Sequence, residues 1–86
     1  AASEQPANTY SSLPELRDLP LDVQRQLPVL EMNAHFYTSE PTRRFAVINL
    51  NRYRQGEQLD EGPDLEAITR EGIVLNWRGE RFILKR

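Results

Sequence analysis

His35 is the chain's single histidine, and there is no cysteine to accompany it. Zinc takes a full set of nitrogen, sulfur or carboxylate ligands around one point, so a lone imidazole makes a poor metal centre. The carboxylates Asp60, Glu61, Asp64 and Glu66 are the next candidates. They lack the alternating Asp/Asn spacing, central glycine and closing glutamate of a calcium-binding loop, and read as a solvated acidic link. Nucleophilic catalysis needs a hydroxyl beside an oriented base. Ser3, Ser11 and Ser12 lie in a polar N-terminal stretch and Ser39 in a turn, so no such set is visible. The glycines at 56, 62, 72 and 79 are spread one per turn and form no phosphate-cradling cluster. The expectation is a chain with no catalytic residues, no metal site and no cofactor, hence not an enzyme.

Arginines offer different chemistry. Arg43, Arg44, Arg52 and Arg54 form a basic stretch before the acidic residues from Asp60 to Glu71, and Phe36, Tyr37, Tyr53 and Trp77 are the aromatics around them. A small β-barrel that stacks bases on such rings is the alternative reading, a single-stranded nucleic-acid-binding domain. Against it stands a formal net charge of -2, since phosphate binding rewards a positive field. The preferred expectation is a mixed, solvated surface and no nucleic acid.

Local patterns indicate which elements would carry these residues. From Val29 to Thr38 the chain alternates, with Leu30, Met32, Ala34 and Phe36 on one face and Glu31, Asn33, His35 and Tyr37 on the other. Ser39 to Thr42 is a turn. A second strand runs from Arg43 or Arg44 to about Leu50, and Asn49 to Arg54 continues or bends it before the turn at Gln55-Gly56-Glu57. Pro63 keeps the acidic link out of a central strand. Leu65–Thr69 reads as a third strand, with Leu65, Ala67 and Thr69 opposite Glu66 and Ile68. Ile73–Trp77 and Glu80–Lys85 form a final hairpin across Arg78-Gly79. Short strands punctuated by Gly and Pro predict an all-β fold, a small β-sandwich or half-barrel of about five to six antiparallel strands.

Before the strands, prolines at 14, 20 and 28 confine any helix to one or two turns, best placed at Asp22–Leu27. Leu13, Leu16, Leu19, Leu21, Val23 and Leu27 would pack on the strands as a clip. Residues 1–12 are small and polar and read as a flexible linker or tail, leaving 13–86 as a single domain. No stretch reaches the roughly 18 apolar residues that a membrane-spanning helix needs. The first residue is Ala and no signal-peptide core follows, so the expectation is a piece of a longer protein whose membrane anchor would lie upstream of Ala1.

One pattern runs through most of this chain. Leu19-Pro20 and Leu27-Pro28 precede the first strand. They are followed by His35-Phe36-Tyr37, Pro41-x-x-Arg44-Phe45-x-x-Ile48-Asn49, Gln55-Gly56-Glu57, Ile68-x-x-x-Gly72-Ile73-Val74-Leu75 and Gly79-x-x-Phe82. In order and spacing these segments resemble the C-terminal domain of the GspB family of type II secretion proteins. The second half is also similar to the homology region of the related GspC and PilP proteins. Asn49-Leu50-Asn51 departs from that pattern, in which Gly is expected directly after the first Asn.

The resemblance implies a periplasmic domain of a single-pass inner-membrane protein. Its implied role is to bind the periplasmic N-terminal domains of the outer-membrane secretin GspD, helping to assemble or stabilise that pore, with inner-membrane secretion components as further partners. Independently of it, Leu30–Thr38 is long and free of proline. It is either an internal strand or an edge that a partner strand can join. The candidate partner-binding residues are therefore Leu30, Glu31, Met32, Asn33, Ala34, His35, Phe36 and Tyr37.

Overall fold

The structure, a computed structural model, describes residues 13–86; the linker expected over residues 1–12 lies outside the described residues. Helix α1 spans Leu21–Gln26, and six strands follow: β1 (Met32–Phe36), β2 (Phe45–Ile48), β3 (Asn51–Arg54), β4 (Asp64–Ile68), β5 (Gly72–Trp77) and β6 (Glu80–Lys85). They form two three-stranded antiparallel sheets, ordered β1-β2-β3 and β4-β5-β6. This is the all-β architecture with a short helical lead-in that the sequence predicts.

The core lies between the sheets. The first contributes Ala46, Ile48 and Tyr53, and the second contributes Leu65, Ile68, Ile73, Leu75, Trp77 and Phe82. Strict alternation along β5 puts Ile73, Leu75 and Trp77 inward and Val74 on the opposite face, where it packs with Ala67 and Ile83. Both faces of the second sheet are thus covered, the outer one with help from Leu13.

The segment before β1 packs much as a clip should. Leu16, Leu19, Val23 and Leu27 all lie against the core, and Pro14 O accepts a bond from Ile83 N at 2.8 Å. Glu15 makes a parallel bridge to Ile83, so this segment covers the outer edge of β6. Leu21, expected in the clip, is instead 66% exposed. Val23 and Leu27 are four residues apart and share one helix face, whereas Leu21 sits two residues from Val23 and points elsewhere.

Two β-bulges overturn the expected alternation. In β1, Met32 pairs with Ile48 but Ala34 pairs with Val47, so Asn33 is an extra residue. A bulge shifts everything beyond it to the other face. Leu30 and Met32 therefore pack inward as expected, but Ala34 and Phe36 turn out to solvent, and His35 turns in from the polar face first assigned to it. In β4, Glu66 is the extra residue between Leu65 and Ala67. Leu65 and Ile68 then share the inner core and Ala67 lies on the other face, contrary to the predicted pairing of Leu65 with Ala67.

The second strand ends earlier than expected. β2 stops at Ile48, and the chain bends back through Asn49 and Leu50, both at positive φ (51° and 70°), into β3. Two consecutive positive φ values give the turn a twist that matches the flanking strands. Asn tolerates that conformation, but leucine does not, and Leu50 is 82% exposed with no core contact in return. Leu50→Gly is expected to stabilise the fold by about 1 kcal/mol after the greater freedom of glycine in the unfolded chain is counted. A urea melt would show this as a higher midpoint at unchanged slope; an unchanged or lower midpoint would refute it.

Candidate functional site

Asn49 ties the start of β1 to the β2–β3 turn. Its backbone N donates to Glu31 O (2.8 Å), and its Oδ1 accepts from Glu31 N (2.9 Å). Its Nδ2 donates to Val29 O (2.8 Å) and to Glu61 Oε2 (2.9 Å). Asn33, the bulged residue, accepts from Leu50 N at 2.7 Å, so the turn is stitched from both sides. The far end of β1 is held to the other sheet by His35. Its Nε2 lies 2.7 Å from Thr69 O and 3.2 Å from Gly72 O. Both are carbonyl acceptors, so Nε2 carries the hydrogen and the ring serves as a cross-sheet tie.

Between these two fixed ends β1 is an open edge. β6 is covered by Pro14 and Glu15. β4 is covered by the preceding turn: Gly56 N donates to Leu65 O and Leu65 N to Glu57 O, both at 2.8 Å, and Gln58 bridges Asp64. At β3, Arg54 N donates to Glu57 Oε1, and Arg54 O accepts from Glu57 N. Among the described residues, no backbone segment other than β2 and the adjoining turn hydrogen-bonds to residues 31–36. Glu31 bonds toward the β2–β3 turn, and ladder polarity then directs the N–H and C=O groups of Met32 and His35 away from β2.

The eight residues proposed from sequence divide accordingly. Leu30 and Met32 pack on the core, and His35 is tied across the sheets. Tyr37 is half-buried, with the Arg44 guanidinium 4.3 Å and that of Arg70 5.7 Å from its ring centre. Glu31, Asn33, Ala34 and Phe36 are exposed. Phe36 stacks on Phe45 with ring centres 5.1 Å apart, and the Arg52 guanidinium lies 4.7 Å over Phe45. Arg43 and Arg54 line the same shallow depression on the outer face of the first sheet. Phe45 was missed as a surface residue because its apolar run reads as core. The available signal was its position opposite Phe36 in the hairpin.

A base-stacking platform fits less well. Tyr53 and Trp77, two of the four aromatics that reading relied on, are buried in the core. Among the described residues there is no cluster of three or more His, Cys, Asp or Glu placed to hold a metal. No helix among them is long and apolar enough to cross a membrane.

Comparison with known proteins gives a consistent result. A family model described as type II secretion system protein B matches residues 27–86. General secretion pathway protein B of Dickeya dadantii (strain 3937) is 37% identical over 59 residues, covering 69% of this chain and 27% of that protein. General secretion pathway protein B of Aeromonas hydrophila is 29% identical over 79 residues, covering 92% of this chain and 35% of that protein. The chain thus spans between 27% and 35% of these relatives' lengths. The crystal structure of Dickeya dadantii GspB from the type 2 secretion system aligns with a TM-score of 0.62 at 36% identity, over 65% of this chain and 67% of that one.

Proposed function

The chain belongs to the type II secretion system protein B family, and from that premise we propose that it is a non-catalytic docking domain that binds periplasmic N-terminal domains of the secretin GspD by accepting a strand at β1. In this reading the domain works in the periplasm, carried by an inner-membrane anchor upstream, and binding helps to assemble or stabilise the secretin. The observation that carries it is the open edge of β1 in a fold where the edges of β4 and β6 are covered. Unpaired edge N–H and C=O groups form a ready template for a partner strand, whose main chain supplies affinity while the neighbouring side chains select. Anchoring of β1 through Asn49 and His35 holds that template in shape before a partner arrives, which lowers the ordering cost of association.

The test is a titration of the isotopically labelled chain with the separate N-terminal periplasmic domains of its cognate secretin. Shifts are expected to concentrate at residues 31–36 with one of these domains. Amide exchange should slow at Met32 and His35, whose N–H groups face outward, more than at Phe36, which already pairs with β2. Shifts confined to other strands would discard β1 as the site. No shifts with any secretin domain at high concentration would sink the secretin reading.

Proline scanning has to respect the same polarity. Ala34 pairs with Val47 within the sheet, so Ala34→Pro would damage the β1–β2 ladder itself. Amide exchange probes the edge without altering it.

A further inference from the structure

At the Tyr37 end of the open edge stands one guanidinium that the fold leaves unused. Arg44 precedes Phe45 and so lies on the β2 side of Tyr37, where its N–H groups go to Thr38 O, Gln55 Oε1, Ile68 O and Tyr37 Oη. Arg43 is paired with Glu40. Arg70 is exposed, and its guanidinium carbon lies 5.7 Å from the centre of the Tyr37 ring. Among the described residues that guanidinium has neither a hydrogen bond nor a carboxylate partner. Two sets of contacts fix where Arg70 comes from. Arg44, on the β2 side, reaches Ile68 O, whereas His35, in β1, reaches Thr69 O and Gly72 O. The end of β4 thus sits under β2 and the turn after it under β1, which brings Arg70 to the edge strand itself.

We propose that Arg70 selects the segment that joins β1, by pairing with a carboxylate side chain placed beside Tyr37. The inference rests on the edge-strand reading above and adds a specificity-determining residue and the charge of the partner at that position. Beyond the bulge Phe36 turns out and His35 turns in, so Tyr37 shares the His35 face, toward the second sheet from which Arg70 rises. A joining strand runs about 5 Å from β1, so its residue opposite Tyr37 is the immediate neighbour of that ring. A glutamate there, on the same face, is one strand spacing away and within reach of the long Arg70 side chain. A cation within about 6 Å of a ring is attracted without using its N–H donors, which stay available to a carboxylate. A lysine at that position would instead meet two guanidiniums, Arg70 and Arg44, with like charge.

The experiment titrates the full chain, followed by NMR, with three blocked hexapeptides that alternate valine and threonine after a first residue of glutamate, glutamine or lysine. Antiparallel pairing with β1 puts that first residue at the Tyr37 end. The glutamate peptide is expected to shift the outward amides of Met32 and His35, the Tyr37 ring and the Arg70 side-chain N–H signal. It should bind at least about fivefold more tightly than the lysine peptide, and added salt should narrow the gap. Arg70→Glu should reverse the order of the two, and Arg70→Gln should bring all three peptides together. Because Arg70 is exposed, both variants should keep the wild-type fold, which their own spectra report. Equal binding of the three peptides at β1 would leave the edge standing and overturn the role of Arg70. An order unchanged in Arg70→Glu, or no binding of any peptide, would also overturn it. So would tighter binding of an oligothymidylate to the same residues, or concentration-dependent self-association through them. A failed secretin titration alongside a glutamate preference that Arg70→Glu reverses would reject the secretin and retain Arg70.

Discussion

Gly72→Ala is expected to destabilise the fold by about 3 kcal/mol, a fall in melting temperature of roughly 15 °C for a domain of this size. A Cβ at this position would collide with the Leu84 carbonyl oxygen and come within 2.8 Å of Lys85 Cα. Both atoms are backbone of β6, so no rotamer change relieves the clash. The β5–β6 ladder would have to open at its Gly72–Lys85 end. That movement would disturb the Gly72 carbonyl, which accepts from Thr69 N (2.8 Å), Thr69 Oγ1 (3.3 Å) and His35 Nε2 (3.2 Å). The damage would therefore reach the tie that holds β1 to the second sheet. Gly56→Ala makes the control: φ is +90°, but nothing lies within 4 Å of an added Cβ. Its cost is only that of a left-handed alanine, about 1 kcal/mol. Thermal melts followed by circular dichroism would compare the two; a Gly72→Ala variant melting no lower than Gly56→Ala would refute the argument.

What the sequence disclosed and concealed follows from the same residues. The β5–β6 hairpin was legible because both its faces are buried and Arg78-Gly79, at φ 54° and 87°, is a turn that glycine announces. The clip was legible from its prolines and leucines. The bulges at Asn33 and Glu66 were not, because an extra residue leaves no mark in a period-two pattern, and each reversed the faces beyond it. His35 was assigned to the polar face for this reason. Its two carbonyl partners are 34 and 37 residues away in sequence, beyond the reach of local pattern. The open edge was a question that only strand order could answer, and the first sheet's arginine face needed the register of three strands at once. Segments that speak for themselves are those whose neighbours in space are also neighbours in sequence.

Arg44→Ala is expected to cost about 3 kcal/mol, although the residue lies at no ligand site and is only half-buried. Its guanidinium joins the two sheets at the end of β1. Nε donates to Thr38 O at 2.6 Å, and Nη1 donates to Ile68 O and Gln55 Oε1, each at 3.3 Å. Nη2 reaches Tyr37 Oη at 3.3 Å, and the guanidinium carbon lies 4.3 Å from the centre of the Tyr37 ring. Gln55 Oε1 also accepts from Ile68 N at 2.8 Å, so one guanidinium and one amide together cap the end of β4. Truncation would leave the Ile68 carbonyl, on a residue only 1% exposed, without its donor, and would unseat Tyr37 and Thr38. Arg44→Lys should recover no more than about half the loss, since a single ammonium cannot span Thr38, Gln55 and Ile68 together. Chemical denaturation of both variants would measure this, and a lysine variant as stable as the wild type would show that charge alone suffices. The loss should also reach the docking edge: with Tyr37 and Thr38 released, amide exchange at His35 and Phe36 should quicken before global unfolding. Slow exchange there in a destabilised Arg44→Ala chain would mean that His35 alone fixes the end of β1.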